Sequence, residues 1–347
     1  MKQVPNPTPI ALGRVPPLGG PLQAVATDVL QGLQYSFVSA AAHPDVRLPF
    51  GGLEEAFQDA IARRPTEQRW VYHSRARRIA MSPAAVRQAA FGRYGLFGAE
   101  EFACGGLAIA YRHLAAERSA PGRLRLVKRS EPSPAEPDPS AAAPSSHRTL
   151  ALYITEVSCL DRTEESPRGE EIAIGGLALD ARGGVAPVGR FLVRDDFEDG
   201  VRKEYGIPGR KFCEFPIPDA LGDEPLTFGA AAFLEVADRA GFCESLAGAW
   251  AKASPILRHA VETRIAGAQA ATISRAAGWV VERFVRWLGD EFEDDVFPPG
   301  LAFAGMSAGV AGAGRRGEIA GAPGQFTFTG QRGQYRVGGQ WRVCGSL

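Results

Sequence analysis

Residues 130–155 read SEPSPAEPDPSAAAPSSHRTLALYIT, and the character of the chain changes inside this stretch. Its first half sets Glu131, Pro132, Pro134, Glu136, Pro137 and Pro139 among serines and alanines. Such a composition offers too little apolar surface to offset the entropy of ordering, which predicts a disordered linker over 130–148. Directly afterwards Leu150, Leu152 and Ile154 alternate with Ala151, Tyr153 and Thr155, the period-two signature of a strand.

Upstream of the linker the period is helical. Leu53, Ala56, Phe57, Ala60 and Ile61 fall on one face of an amphipathic helix, and a second helix is predicted from Thr66 to Ala80. Ser82 and Pro83 form an N-cap and first-turn pair that opens a third helix, ending near Gly92 or Gly95. A fourth is expected from about Leu107 to Arg118, before Pro121 and Gly122. Residues 1–22, punctuated by proline and glycine, are expected to be extended.

Downstream, strand-like runs cover 172–179, 188–193, 212–217 and 226–236, at the spacing of a β-sandwich. An apolar helix over 242–253 follows, then a helical stretch from Pro255 to about Phe292. Glycine-rich sequence occupies 300–324, and two last strands at 326–329 and 335–343 flank the loop Gln331, Arg332, Gly333. The pattern predicts an α+β chain. Its parts are a helical basic region over 1–129, a linker over 130–148, and a β-rich domain over 149–347 with a helical insertion at about 242–292.

The chain's 347 residues, 45% of them apolar, suffice for about two domains. Its net charge of zero is a cancellation between regions: 18 Lys/Arg against 12 Asp/Glu over 1–150, 16 against 26 over 151–300, and 5 against 1 thereafter. Opposite charge on neighbouring regions draws them together without any ligand. Five scattered cysteines without a Cys-x-x-Cys pair argue for reduced thiols over a disulfide scaffold. Prolines at 5, 7 and 9 interrupt the place where a signal peptide needs its apolar core, and no uncharged apolar window reaches the ~18 residues of a membrane span. The expected location is the cytoplasm, or outside the cell by a route that needs no standard signal peptide.

Motifs for catalysis fail on context. Gly305-Met306-Ser307-Ala308-Gly309 has the form of a nucleophile elbow, but no histidine follows His259 to serve Ser307. Gly312-Ala313-Gly314-Arg315-Arg316-Gly317 lacks the strand before it and the βαβ unit that would make it a pyrophosphate loop. His113 and Glu117 lie four apart, as ordinary surface pairs do, and no three-ligand zinc pattern accompanies them. From Arg63 to Arg129 fourteen basic residues face four acidic ones, yet no nucleic-acid motif goes with them, and a solvated arginine-rich surface is the simpler reading. The small-residue helix at 266–288 ends in Trp279, Phe284 and Trp287, but Arg264, Arg275, Glu282, Arg283 and Arg286 argue against burial in lipid.

Acidic loops are the feature left over. Asp161, Glu164, Glu165, Glu170 and Glu171 crowd the first strand connection, Asp195, Asp196, Glu198 and Asp199 a second, and Asp238 follows the strand ending at Val236. A hard cation such as Ca²⁺ takes six to eight oxygens, which loops at one end of a sandwich can supply. Ile154-Thr155-Glu156-Val157 with Asp161, then Gly169-Glu170-Glu171-Ile172, and later Leu234-Glu235-Val236-Ala237-Asp238, resemble the first and third calcium loops of C2-type sandwiches over about residues 148–245. That resemblance implies Asp161 and Glu171 as first-loop ligands and Asp238 as a third-loop ligand. Asp195 joins them from the second acidic connection. The family's Ser-Asp-Pro-Tyr is replaced here by Glu170-Glu171-Ile172-Ala173. The resemblance further implies a Ca²⁺-responsive module that meets a protein partner, a second copy, or an anionic membrane surface. Binding or assembly is therefore expected over catalysis. A membrane-acting, toxin-like protein and an enzyme with a site illegible in one sequence are the alternatives.

Overall fold

A computed structural model describes residues 17–46, 52–100, 102, 107, 148–162, 170–181, 184–217, 226–236, 242–292, 297, 299–306, 319–330 and 333–345. The linker over 130–147, almost all of the helix expected at 107–118, Ser307 and the glycine motif at 312–317 lie outside them. The architecture is α+β, with helices in the N-terminal region and two antiparallel sheets in the C-terminal region.

Among the described residues the N-terminal helices include α1 (Gly20–Ala42), α2 (Leu53–Ala62), α3 (Thr66–Ala80) and α4 (Ala84–Phe91), followed by a 3-10 turn at Gly92–Leu96 and further helical residues at 99, 100, 102 and 107. The strands are β1 (Arg148–Asp161), β2 (Glu170–Leu179), β3 (Val185–Phe197), β4 (Arg202–Glu204), β5 (Arg210–Pro216), β6 (Leu226–Val236), β7 (Gly300–Met306), β8 (Ile319–Ala320), β9 (Gly324–Gly330) and β10 (Gly333–Gly345). Helices α5 (Phe242–Arg264) and α6 (Ala270–Phe292) stand between β6 and β7.

One sheet has the order β3-β2-β6-β7. The other is built on β1 and β10, with β4 and β5 pairing β1, and β8 and β9 pairing β10. Strand alternation gives the four-stranded sheet two buried faces. Ile172, Ile174, Phe228, Ala230 and Leu234 meet Leu152, Ile154, Val337 and Trp341 of the other sheet in one core. Leu177, Leu179, Ala231, Phe233, Leu301 and Phe303 point the other way, into the helices. The result is a β-sandwich with a helical layer on one sheet. Gly176 belongs to this close packing: a Cβ there would stand 2.1 Å from the Ala231 carbonyl oxygen.

Three departures from the sequence expectation stand out, two in the helical layer and one in the sheet. Residues 20–42 form α1, where the leading segment was expected to be extended to residue 22 and no helix was expected before Leu53. Its second half, Gly32 to Ala42, is buried on every side, while Leu22, Val25, Ala26, Val29, Leu30 and Leu33 keep the one-sided helical spacing in the first half. Second, α5 runs through Pro255 to Arg264 instead of breaking there. Pro255 has no N–H for the Ala251 carbonyl, and the Ser254 hydroxyl donates to that oxygen instead at 3.3 Å. The break falls at residues 265–269, where Gly267 takes a φ of +68°. Third, residues 300–306, expected as glycine-rich loop, are strand β7, paired with β6 from Leu226↔Met306 to Ala232↔Gly300.

The N-terminal helices and the insertion close one apolar core together. Phe37 of α1 packs with Phe57 of α2, Tyr72 of α3, and Phe284, Trp287 and Phe292 of α6. Asp28 of α1 receives Arg93 from the 3-10 turn and Arg264 from α5, both on Oδ2 at 2.6 Å. Among the described residues the N-terminal helices therefore have no core separate from residues 242–292. Alternating apolar faces need a partner surface, and each supplies the other's.

Much of the basic excess is spent within this layer. A helix leaves its last carbonyls without intrahelical donors. At the end of α1, Arg77 donates to Ala42 O at 3.2 Å, His73 Nδ1 meets Ala41 O at 2.7 Å, and Gln58 donates to His43 O at 2.9 Å. Arg75 donates to Glu291 O in the last turn of α6 at 2.7 Å. Arg87 gathers the carbonyls of Ala80, Ser82, Gly95 and Phe97. Cations at helix C-termini also complement the macrodipole.

Candidate functional site

The topology brings the acidic connections to one rim of the sandwich. β1 ends at Asp161 opposite Gln334, β2 begins with Glu170 opposite Phe197 of β3, and Ile172 pairs with Val236 at the end of β6. The ends of β1, β3 and β6 and the start of β2 thus lie together. Backbone bonds fix the turn after β3 to β1: Gly200 N–H donates to Cys159 O at 3.1 Å, and Cys159 N–H to Val201 O at 2.9 Å.

The projection of the carboxylates follows from register. Against β2, the step from Ile172 to Glu170 is matched on β3 by the longer step from Arg194 to Phe197, a bulge at Asp195 and Asp196. A bulge adds one residue to one strand and re-aims the side chains beside it. Asp195 and Asp196 are consequently exposed between the buried Val193 and Phe197. Ile172 faces the inter-sheet core, so alternation turns the exposed Glu171 towards the opposite face, the one on which Ala173 pairs with Glu235. On that face Glu235, 7% exposed, has Arg190 Nε at 3.4 Å from Oε2.

Of the four expected ligands, Asp161, Glu171 and Asp195 stand exposed at this rim, and Asp238 lies outside the described residues. Among the described residues no three His, Cys, Asp or Glu side chains gather closely enough to hold a metal ion. Two neighbours are already engaged. Arg194 forms a two-pronged ion pair with Asp196, Nη2 to Oδ2 at 3.0 Å, and its hydrogen bond holds the Asp196 carboxyl below the usual range. Asp199 Oδ1 accepts the Arg162 N–H at 2.7 Å. Asp161, Glu171, Asp195 and Glu198 form no ion pair among the described residues. The rim is thus a fixed surface of excess negative charge with solvent-facing oxygens, suited to receive a cationic group.

A second concave feature was not legible in the sequence. Between α1, α3, α4 and α6 lies a cleft of about 360 Å³, lined among others by Gln34, Val86, Phe91, Trp287 and Glu291. These residues come from positions more than two hundred and fifty apart, and no spacing rule connects them.

Among the described residues no helix is long and apolar enough to cross a membrane. Comparison with protein-family models, with curated proteins and with solved structures yields no match.

Proposed function

We propose that this chain is a binding or assembly protein whose acidic sandwich rim answers to a cation, with Ca²⁺ as the ion, in the manner of C2-type modules. The observation that carries this reading is the meeting of the ends of β1, β3 and β6 with the start of β2, with Asp161, Glu171 and Asp195 exposed there. Asp161 and Asp195, with Asp238 from the connection after β6, would supply oxygens from three strand ends, whereas Glu171, turned to the opposite face of its sheet, is left outside the set. Ca²⁺ tolerates such irregular sets of six to eight oxygens, whereas Mg²⁺ demands a tight octahedron. The partner on this reading is a protein, a second copy, or an anionic membrane surface bridged by the ion.

The test is thermal. A site of about 1 mM affinity saturated with about 10 mM Ca²⁺ stabilises the fold by about 1.4 kcal/mol. For a chain of this length that raises the melting temperature by about 2 °C. Equal Mg²⁺ should do much less, and Asp195→Asn and Asp238→Asn should each remove most of the gain. Sedimentation with phosphatidylserine vesicles, with and without Ca²⁺, then separates a membrane partner from a protein one. A melting temperature indifferent to Ca²⁺ refutes the ion-binding reading.

A further inference from the structure

The cleft in the helical layer is distant in sequence from the acidic rim and is built from different elements. Its walls are largely apolar: Val86, 55% exposed, at the mouth, with Phe91 and Trp287 meeting edge to face inside, 6.5 Å apart at 88°. At about 360 Å³ it falls in the lower part of the ~300–1,000 Å³ range of small-molecule pockets.

Its polar groups set it apart from a packing defect. Gln34 lies mid-helix in α1, so only its side chain can reach the cleft, and it is 9% exposed. Its amide makes no hydrogen bond among the described residues and keeps some access to the cleft's solvent, so it is free to bond a ligand. The Trp287 indole N–H and the half-buried Glu291 carboxylate also line or border the cleft without a hydrogen-bond partner or ion pair among the described residues. Arg87 lines the cleft too, but four of its five N–H groups are committed to backbone carbonyls. It is left to hold the wall in place. Glu291 sits in the last turn of α6, where its backbone carbonyl receives Arg75 while its carboxylate forms no ion pair among the described residues.

We propose that this cleft binds a small organic ammonium ion with an apolar body. The ammonium would sit against the Glu291 carboxylate beside the corner formed by Phe91 and Trp287, whose ring faces attract cations. The apolar body fills the space beside Val86, and the Gln34 amide bonds a polar atom of the ligand. No covalent step is involved, and the site is independent of Ca²⁺.

The full-length protein is titrated with 2-phenylethylammonium, followed by tryptophan fluorescence and calorimetry. 2-Phenylethanol serves as the uncharged analogue of the same length and shape. The ammonium should bind at millimolar or lower concentration, and the alcohol about tenfold or more weakly, the difference of one charged hydrogen bond. Glu291→Gln should weaken the ammonium by about the same factor and leave the alcohol unchanged. Val86→Trp, at an exposed position that leaves the core intact, should close the cleft and abolish both. Absence of ammonium binding up to about 10 mM, above the ~1 mM limit of weak sites, overturns the proposal. So does equal affinity for the alcohol, or ammonium binding that survives Val86→Trp in a variant whose melting temperature matches the parent.

Discussion

Replacing Phe37 with alanine tests whether the N-terminal helices and the 242–292 insertion fold as one unit. The ring is 1% exposed and touches five others at centroid distances from 5.2 to 6.1 Å, on α2, α3 and α6. Truncating a buried Phe to Ala costs about 3–5 kcal/mol, and the upper end applies where stiff neighbours cannot collapse into the space. Aromatic rings on three helices are such neighbours. At about 1.4 °C per kcal/mol for a chain of this length, the melting temperature should fall by about 4–7 °C. Trp70→Ala, at a position 70% exposed, should change stability by no more than about 0.5 kcal/mol. Hydrogen exchange read by mass spectrometry supplies the decisive measurement. Phe37→Ala should speed exchange in α6 as much as in α1, because the cavity lies between them. Loss of protection confined to residues 20–80, with 270–292 unchanged, would show that the two parts are independently stable and that the shared core is wrongly assigned.

Two other predictions rest on buried chemistry. Asp28→Asn leaves Arg93 and Arg264 facing each other, with side chains only 19% exposed, so it should cost about 2–3 kcal/mol in urea unfolding, less than a fully buried pair. Adding Arg93→Ala to that variant should recover part of the loss, since it removes one of the two stranded charges. Burial pushes the Cys213 thiol up to about 12 from 9.0, so at pH 8 iodoacetamide should label the half-buried Cys344 well before Cys213. The stability that Cys213 contributes is fully present below pH 9 and is lost as pH rises from there towards about 12, because the unfolded thiol ionises first. A Cys213 labelled as fast as Cys344 in the native protein would contradict its burial in the inter-sheet core.

The sequence by itself determined the elements marked by a period or by an apolar run. α3 spans Thr66–Ala80 as its one-sided pattern predicts. β6, Leu226–Val236, is buried on both faces and was legible as a short apolar run, not by alternation. The strand after the proline-rich stretch and the change from helix to sheet followed from the change of period. The acidic character of the rim was legible too, since charge clustered in strand connections is a property of composition. The second half of α1, covered on every side, loses the period that Leu22, Val25, Val29 and Leu33 keep in its first half. β7 was hidden for a related reason: Gly300 and the alanines at 302 and 304 are small because Phe326 and the facing sheet leave no room for more. Tertiary structure alone decided that Asp195 sits on a bulge while Glu171 faces the other side, because register depends on the partner strand. It alone gave arginines such as Arg77 and Arg87 carbonyls to cap, and it alone assembled Gln34, Phe91, Trp287 and Glu291 around one cleft. Those relations join residues distant in sequence, and only the packing of helices on the sheet brings them within reach of one another.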